Sequence, residues 1–119
     1  MTDVAGRRAP DHADKLRVGD VVLDRAAHLV TVSGVVLNLA LQEFRLLEFL
    51  MQNADHVLEV PVILEMVWGG GYRGDPGTVA VHMLRLRKKL ERHPGGSLHL
   101  RTVRGLGYVF DTVPVPQSG

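Results

Sequence analysis

TVAVHMLRLRKKLER (Thr78–Arg92) and, after a Pro-Gly-Gly break, LHLRTVRGLGYVF (Leu98–Phe110) are the two segments on which the fold turns. At helical spacing Val79, Met83, Leu86 and Leu90 fall within an arc of about 60°, which predicts a helix with one apolar stripe. The opposite side presents Gly77, Val81, Leu84, Arg85, Lys88 and Arg92, with Arg87 and Lys89 at its flanks. The helix starts between Asp75 and Thr78, Pro76 suiting the first turn, and Pro94-Gly95-Gly96 ends it. The second segment reads as two short strands around Arg104-Gly105-Leu106-Gly107. Its second glycine takes positive φ or admits a close backbone approach.

Upstream, LQEFRLLEFLMQN (Leu41–Asn53) predicts a helix whose apolar face holds Phe44, Leu47, Phe49 or Leu50, and Met51, with Glu43, Arg45, Glu48 and Gln52 outside it. A further helix, Pro61–Trp68, follows DHVLEV, and GGGYRGDPG (Gly69–Gly77) is a connector. Between Leu16 and Leu39, short β-branched runs broken by Gly19-Asp20, Arg25-Ala26-Ala27 and Ser33-Gly34 predict an antiparallel meander of three or four strands. Ser33-Gly34 is a two-residue hairpin signal. Residues 1–15 have no periodicity and read as a linker or arm, and 114–119 as a disordered tail, leaving one domain over 16–113.

The 119-residue chain is 45% hydrophobic but only 5% aromatic, so its core must rely on Leu and Val. It has no cysteine, which excludes disulfides, thiolate metal sites and cysteine nucleophiles. No apolar run approaches membrane-spanning length, and the start lacks a signal-peptide core. The six histidines include no pair at the i, i+4 spacing of a helical zinc site, so no metal or other cofactor is expected. Gly105-Leu106-Gly107 lacks a third glycine and opens no helix, which favours a turn over a nucleotide loop. No triad or carboxylate pair has catalytic spacing, and no catalytic residue is assigned.

A net charge of +1 conceals a division along the chain. Residues 40–72 carry a net of −4, whereas residues 73–104 hold eight Lys and Arg against Asp75 and Glu91. For a lone amphipathic helix such a face would read as solvated surface. Here the charge is nearly unopposed, follows a helix–loop–helix arrangement, and is succeeded by a hairpin with arginine at its tip. A basic helix fits the major groove of a DNA duplex, and an Arg-Gly hairpin tip is sized for an adjacent minor groove. Val81, Arg85, Arg87, Lys88 and Lys89 are the helix residues placed toward that partner.

TVxVHxxRLRKKLE followed by RTVRGxGYxF, with EFRLLEFL and MVWG upstream, resembles the effector domain of OmpR/PhoB-type response regulators over Leu16 to about Phe110. The resemblance implies an α+β winged helix-turn-helix: an N-terminal antiparallel four-stranded sheet, three helices, and a C-terminal β-hairpin wing. It implies a cytoplasmic transcriptional regulator of a two-component system that binds double-stranded DNA, with a recognition helix at about 76–92 and a wing at about 98–112. Arg85 would read bases, while Thr78, His82 and Arg87 would hold phosphates. Trp68 and Tyr108 would brace the backbone, and Thr102 and Arg104 would serve the wing, Arg104 entering the minor groove. The connector Gly70, Gly71, Tyr72 and Arg73 would touch RNA polymerase. An upstream receiver domain and a dimer on DNA also belong to that picture.

The chain departs from the family pattern in ways that bear on specificity. Gly77, Ala80 and Leu84 stand where Arg, Asp and a polar or basic residue are usual. Such groove-facing residues meet thymine methyls but cannot read guanine or cytosine edges, which predicts binding that leans on phosphates and Arg85 with low sequence selectivity. Ala40-Leu41 replaces a Thr-Pro helix start, a hydroxyl cap worth about 1 kcal/mol. Glu59-Val60 likewise replaces Ser-Arg. The alternative reading is an interaction module that contacts RNA polymerase or a partner domain and binds DNA weakly or non-specifically.

Overall fold

Short runs that alternate buried and open residues pair in chain order at the start of the domain. The computed structural model describes residues 14–70, 75–94 and 99–115. Strands β1 (Lys15–Val18), β2 (Val21–Asp24), β3 (Leu29–Val32) and β4 (Val35–Leu37) form an antiparallel four-stranded meander. Val18, Val21, Leu23, Val30, Val32 and Leu37 point to the core from one face, as the two-residue side-chain period requires. The Ser33-Gly34 turn joins partners Val32 and Val35, with φ 52° and 82°. Positive φ at both central residues matches the right-handed strand twist, so the hairpin signal is realised.

Helix α1 (Leu41–Gln52) lies against this sheet and buries Phe44, Leu46, Leu47, Leu50 and Met51. Glu43, expected outside the apolar face, is instead only 3% exposed. Its Oε1 accepts the Ala40 backbone N–H at 2.9 Å and the Lys89 ammonium at 2.6 Å. The missing hydroxyl cap is thereby half replaced, because the third-position glutamate still satisfies a donor at the helix start. Around α1, Arg25 donates to Glu48 at 2.9 Å and Gln42 to the Val67 carbonyl at 3.0 Å. His28, at φ 55°, stacks on Phe44 with ring centres 3.8 Å apart.

Strand β5 (Leu58–Glu59) leads into α2 (Val60–Ile63), which runs on as a π-helical turn, Leu64–Trp68. Helix α3 (Gly77–Glu91) buries Val79, Met83, Leu86 and Leu90, the expected stripe. Its start is held by Asp75, whose Oδ1 accepts the Gly77 N–H and whose carbonyl accepts the Thr78 N–H. Strands β6 (Leu100–Val103) and β7 (Gly107–Phe110) close the fold as a hairpin. The sequence reading missed β5, which pairs with β7 and makes the hairpin a three-stranded sheet in the order β5-β7-β6. Of the turn glycines, Gly105 carries the positive φ, 78°, while Gly107 provides the close approach. The assigned arm and tail lie largely outside the described residues.

Polar contacts lock the hairpin to the rest of the domain. Arg101 grips buried Asp111 with two bonds, 2.7 and 3.0 Å. The His99 Nδ1–H donates to the Asp111 carbonyl at 2.6 Å, and the Asp111 N–H returns a bond to His99. Asp55 accepts the Thr112 N–H and hydroxyl, each at 2.8 Å, and these bonds hold its carboxyl below the usual range. Burial pushes the Glu43 carboxyl up, but the bonds from Lys89 and Ala40 outweigh it, and the net shift is also downward.

Both depressed carboxyls stabilise the fold above their unfolded values, and the unfolded chain takes up protons first as pH falls. The melting temperature should therefore drop as pH falls through the ordinary values of 4.5 for Glu and 3.8 for Asp. Glu43→Gln should cost about 2 kcal/mol at neutral pH and flatten the upper part of that drop. Thermal melts across pH check both. An acid profile unchanged in Glu43→Gln would contradict the assignment.

Candidate nucleic-acid interface

Because α3 gives its apolar stripe to the core, the geometry of the helix forces the opposite residues outward. Gly77, Ala80, Val81, Leu84, Arg85, Lys88 and Arg92 are all exposed, as the periodicity required. Arg85, Lys88 and Arg92 have no ion-pair partner among the described residues. A helix of 15 residues rises roughly 22 Å at 1.5 Å per residue, enough to lie along a groove.

The flank of α3 nearest the hairpin is organised by one bond. Arg87 donates from Nη2 to the Thr102 hydroxyl at 2.9 Å, tying the helix to β6. An expected phosphate contact, Arg87, and an expected wing residue, Thr102, thus sit side by side and link helix to hairpin. Thr102 and Arg104 are exposed, with Leu106 beside them at the tip, and Tyr108 is half-buried opposite Thr102 across the ladder.

Near the start of α3, Thr78, His82 and Trp68 form a second group. His82 Nδ1 lies 2.8 Å from the Thr78 carbonyl. A carbonyl only accepts, so Nδ1 carries the proton and Nε2 is the ring nitrogen left for another partner. The Trp68 ring meets the His82 ring edge-on at 5.0 Å. Thr78 and His82 stand one turn apart, a spacing visible in the sequence. Their link to Trp68 comes only with the packing of α2 against α3.

One expected member does not belong to the outer face. Lys89 turns toward α1, where Glu43 holds its ammonium. A buried carboxylate with an ammonium partner costs far less than one alone, so the internal bond outcompetes exposure on the helix flank. Its charge is spent on the core, and the interface set shrinks accordingly. Of the connector residues expected to touch RNA polymerase, Gly70 is exposed, while Gly71, Tyr72 and Arg73 lie outside the described residues.

Between α1 and the end of α2 a cleft of about 450 Å³ is lined by Arg45, Glu48, Phe49, Gln52, Met66 and Trp68 among others. Among the described residues no group of three His, Cys, Asp or Glu side chains could hold a metal ion. No helix among them is long and apolar enough to cross a membrane.

The arrangement has counterparts among known proteins. Residues 34–110 match the family described as "Transcriptional regulatory protein, C terminal". The sensory transduction protein RegX3 of Mycolicibacterium smegmatis is 44% identical over 111 residues, covering 88% of this chain and 49% of that protein. RegX3 of Mycobacterium tuberculosis is 47% identical over 96 residues, covering 81% of this chain and 42% of its own length. The chain thus spans less than half the length of these relatives. Among solved structures, the Klebsiella pneumoniae RstA DNA-binding domain, in complex with the RstA box, superposes with a TM-score of 0.73 at 27% identity. That likeness covers 83% of this chain and 98% of the RstA domain.

Proposed function

The chain belongs to the OmpR/PhoB-type family of winged-helix DNA-binding domains of transcriptional regulators, and from that premise we propose how it engages double-stranded DNA. Helix α3 enters the major groove with Arg85 at the base edges, and Thr78, His82, Lys88 and Arg87 hold the flanking phosphates. The β6–β7 hairpin is the wing, with Arg104 reaching the adjacent minor groove. Trp68 and Tyr108 brace the sugar-phosphate backbone. The observation that carries this reading is the exposed basic face of α3, set at a fixed spacing from the arginine-tipped hairpin by the Arg87–Thr102 bond.

Each basic side chain that meets a phosphate releases condensed counterions, so affinity should fall with salt. Three such cations, Arg87, Lys88 and Arg104, imply a slope of roughly −3 in the logarithm of the association constant against that of salt. Fluorescence anisotropy on a labelled duplex measures it. Arg104→Ala should weaken binding about tenfold and reduce the slope by about one. A flat salt profile would overturn the reading.

RNA polymerase, reached through the connector at Gly70, and a receiver domain governing the regulator are partners we propose on the same premise, as is a dimer on DNA. The interaction-module reading draws on a different observation. The cleft between α1 and α2, bordered by Met66 at 63% exposure, is a surface a protein partner could fill. Its lining sets Arg45 and Glu48 among apolar side chains and shares only Trp68 with the proposed DNA contacts, so both readings can hold at once.

A further inference from the structure

The outer face of α3 is apolar in its first half, through Gly77, Ala80, Val81 and Leu84, and basic toward its C-terminal end, through Arg85, Lys88 and Arg92. Leu84 is 52% exposed and Val81 47%. The two stand about 60° apart around the helix, directly opposite the core stripe. Ala80 lies one turn before Leu84 and Lys88 one turn after it, both exposed. Single exposed apolar residues are ordinary on a surface. This pair is different in its position, at the centre of the outward face, with Arg85, Lys88 and Arg92 following it as a basic rim on its C-terminal side. A polyanion drawn to that rim seats Val81 and Leu84 against whatever lies at its middle.

Resting on the major-groove reading above, we propose that Leu84, supported by Val81 and Ala80, is a specificity determinant of this domain beside Arg85 and reads pyrimidine C5-methyl groups. None of these three side chains can donate or accept a hydrogen bond. Pressed on a guanine or cytosine edge, they would strand N7, O6 or N4 without a partner. Against an A·T pair the C5-methyl gives them an apolar surface to cover. The methyl is carried by thymine, or by 5-methylcytosine where cytosine is modified. The domain therefore does not lose selectivity through Gly77, Ala80 and Leu84 but shifts it, from hydrogen-bonded edges to methyl groups beside the base pair taken by Arg85. Burying one methyl is worth about fourfold in affinity.

The test uses the intact chain and a duplex of about two helical turns enriched from a random pool. Resynthesis with uracil for thymine removes only the methyl groups. The uracil twin should bind about fourfold more weakly for each methyl contacted. Leu84→Ala should abolish most of that penalty while keeping the salt slope and the helical circular dichroism of the parent. A second pair of duplexes carries C·G or 5-methylcytosine·G at one contacted T·A position. Tighter binding of the methylated twin supports recognition of the methyl from either source; equal binding beside a uracil penalty supports thymine as its source. Equal affinity for the thymine and uracil duplexes would overturn the proposal, as would an undiminished penalty in Leu84→Ala. A pool from which nothing is enriched, with no binding to any duplex, would instead defeat the DNA-binding reading beneath it.

Discussion

Arg85→Ala should weaken duplex binding by about ten- to a hundredfold, the loss associated with a bidentate base contact, and leave thermal unfolding unchanged. Arg85 is exposed on α3 and has no ion-pair partner among the described residues. Alanine is the better helix former, so the helix loses nothing by the exchange. Lys88→Ala, one turn away, should cost less and should act equally on every sequence, because a phosphate contact carries no base information. Lys89→Ala is the informative control. Its ammonium sits on Glu43 rather than on the outer face, so it should lower stability and leave affinity for the duplex nearly intact. Anisotropy and thermal melts on these variants separate grip from fold. If Lys89→Ala cut binding as deeply as Arg85→Ala, the outer face would be wrongly drawn.

Gly107→Ala should destabilise the domain by about 3 kcal/mol or more, lowering the melting temperature by roughly 15 °C. A Cβ at Gly107 would lie 1.9 Å from the Leu58 carbonyl oxygen, 2.8 Å from its carbon and 2.9 Å from Glu59 Cα. All three are backbone atoms, so no side chain can move aside. The added carbon must push β5 away from β7 and break the pairing that roots the wing. Gly105→Ala sets the scale for a lesser fault. Its Cβ meets open space, and only the positive φ opposes it, a cost of about 1 to 2 kcal/mol. Near-native melting of Gly107→Ala would mean that β5 does not pair with β7 as described.

The parts legible in the sequence were those that repeat over several turns or strand residues. Val79, Met83, Leu86 and Leu90 declare the buried side of α3, and the outward set follows from them by geometry alone. Ser33-Gly34 declares its own turn because positive φ is demanded at both positions. Strand β5 could not be read this way. It has two residues, Leu58 and Glu59, and exists only because β7 returns beside it about fifty residues later.

Glu43 was misplaced for a related reason. A charged residue reads as solvent-facing until the distant cation that neutralises it is known, and Lys89 reaches it only through the packing of α1 on α3. That one contact corrected two expectations together, the exposure of Glu43 and the role of Lys89. His82 shows the intermediate case. Its turn-mate Thr78 was visible at i−4, but the choice of ring nitrogen needed the 2.8 Å distance to the Thr78 carbonyl.

The central claim is that DNA is held between the outer face of α3 and the tip of the β6–β7 hairpin. Nuclear magnetic resonance of the isotope-labelled chain, titrated with a duplex, tests it residue by residue. The account predicts backbone shifts gathered at Thr78, Val81, His82, Leu84, Arg85 and Lys88 on the helix and at Thr102 to Leu106 in the wing, with β1 to β4 unmoved. Shifts confined to the α1–α2 cleft around Arg45, Gln52 and Met66, with α3 and the wing silent, would contradict it.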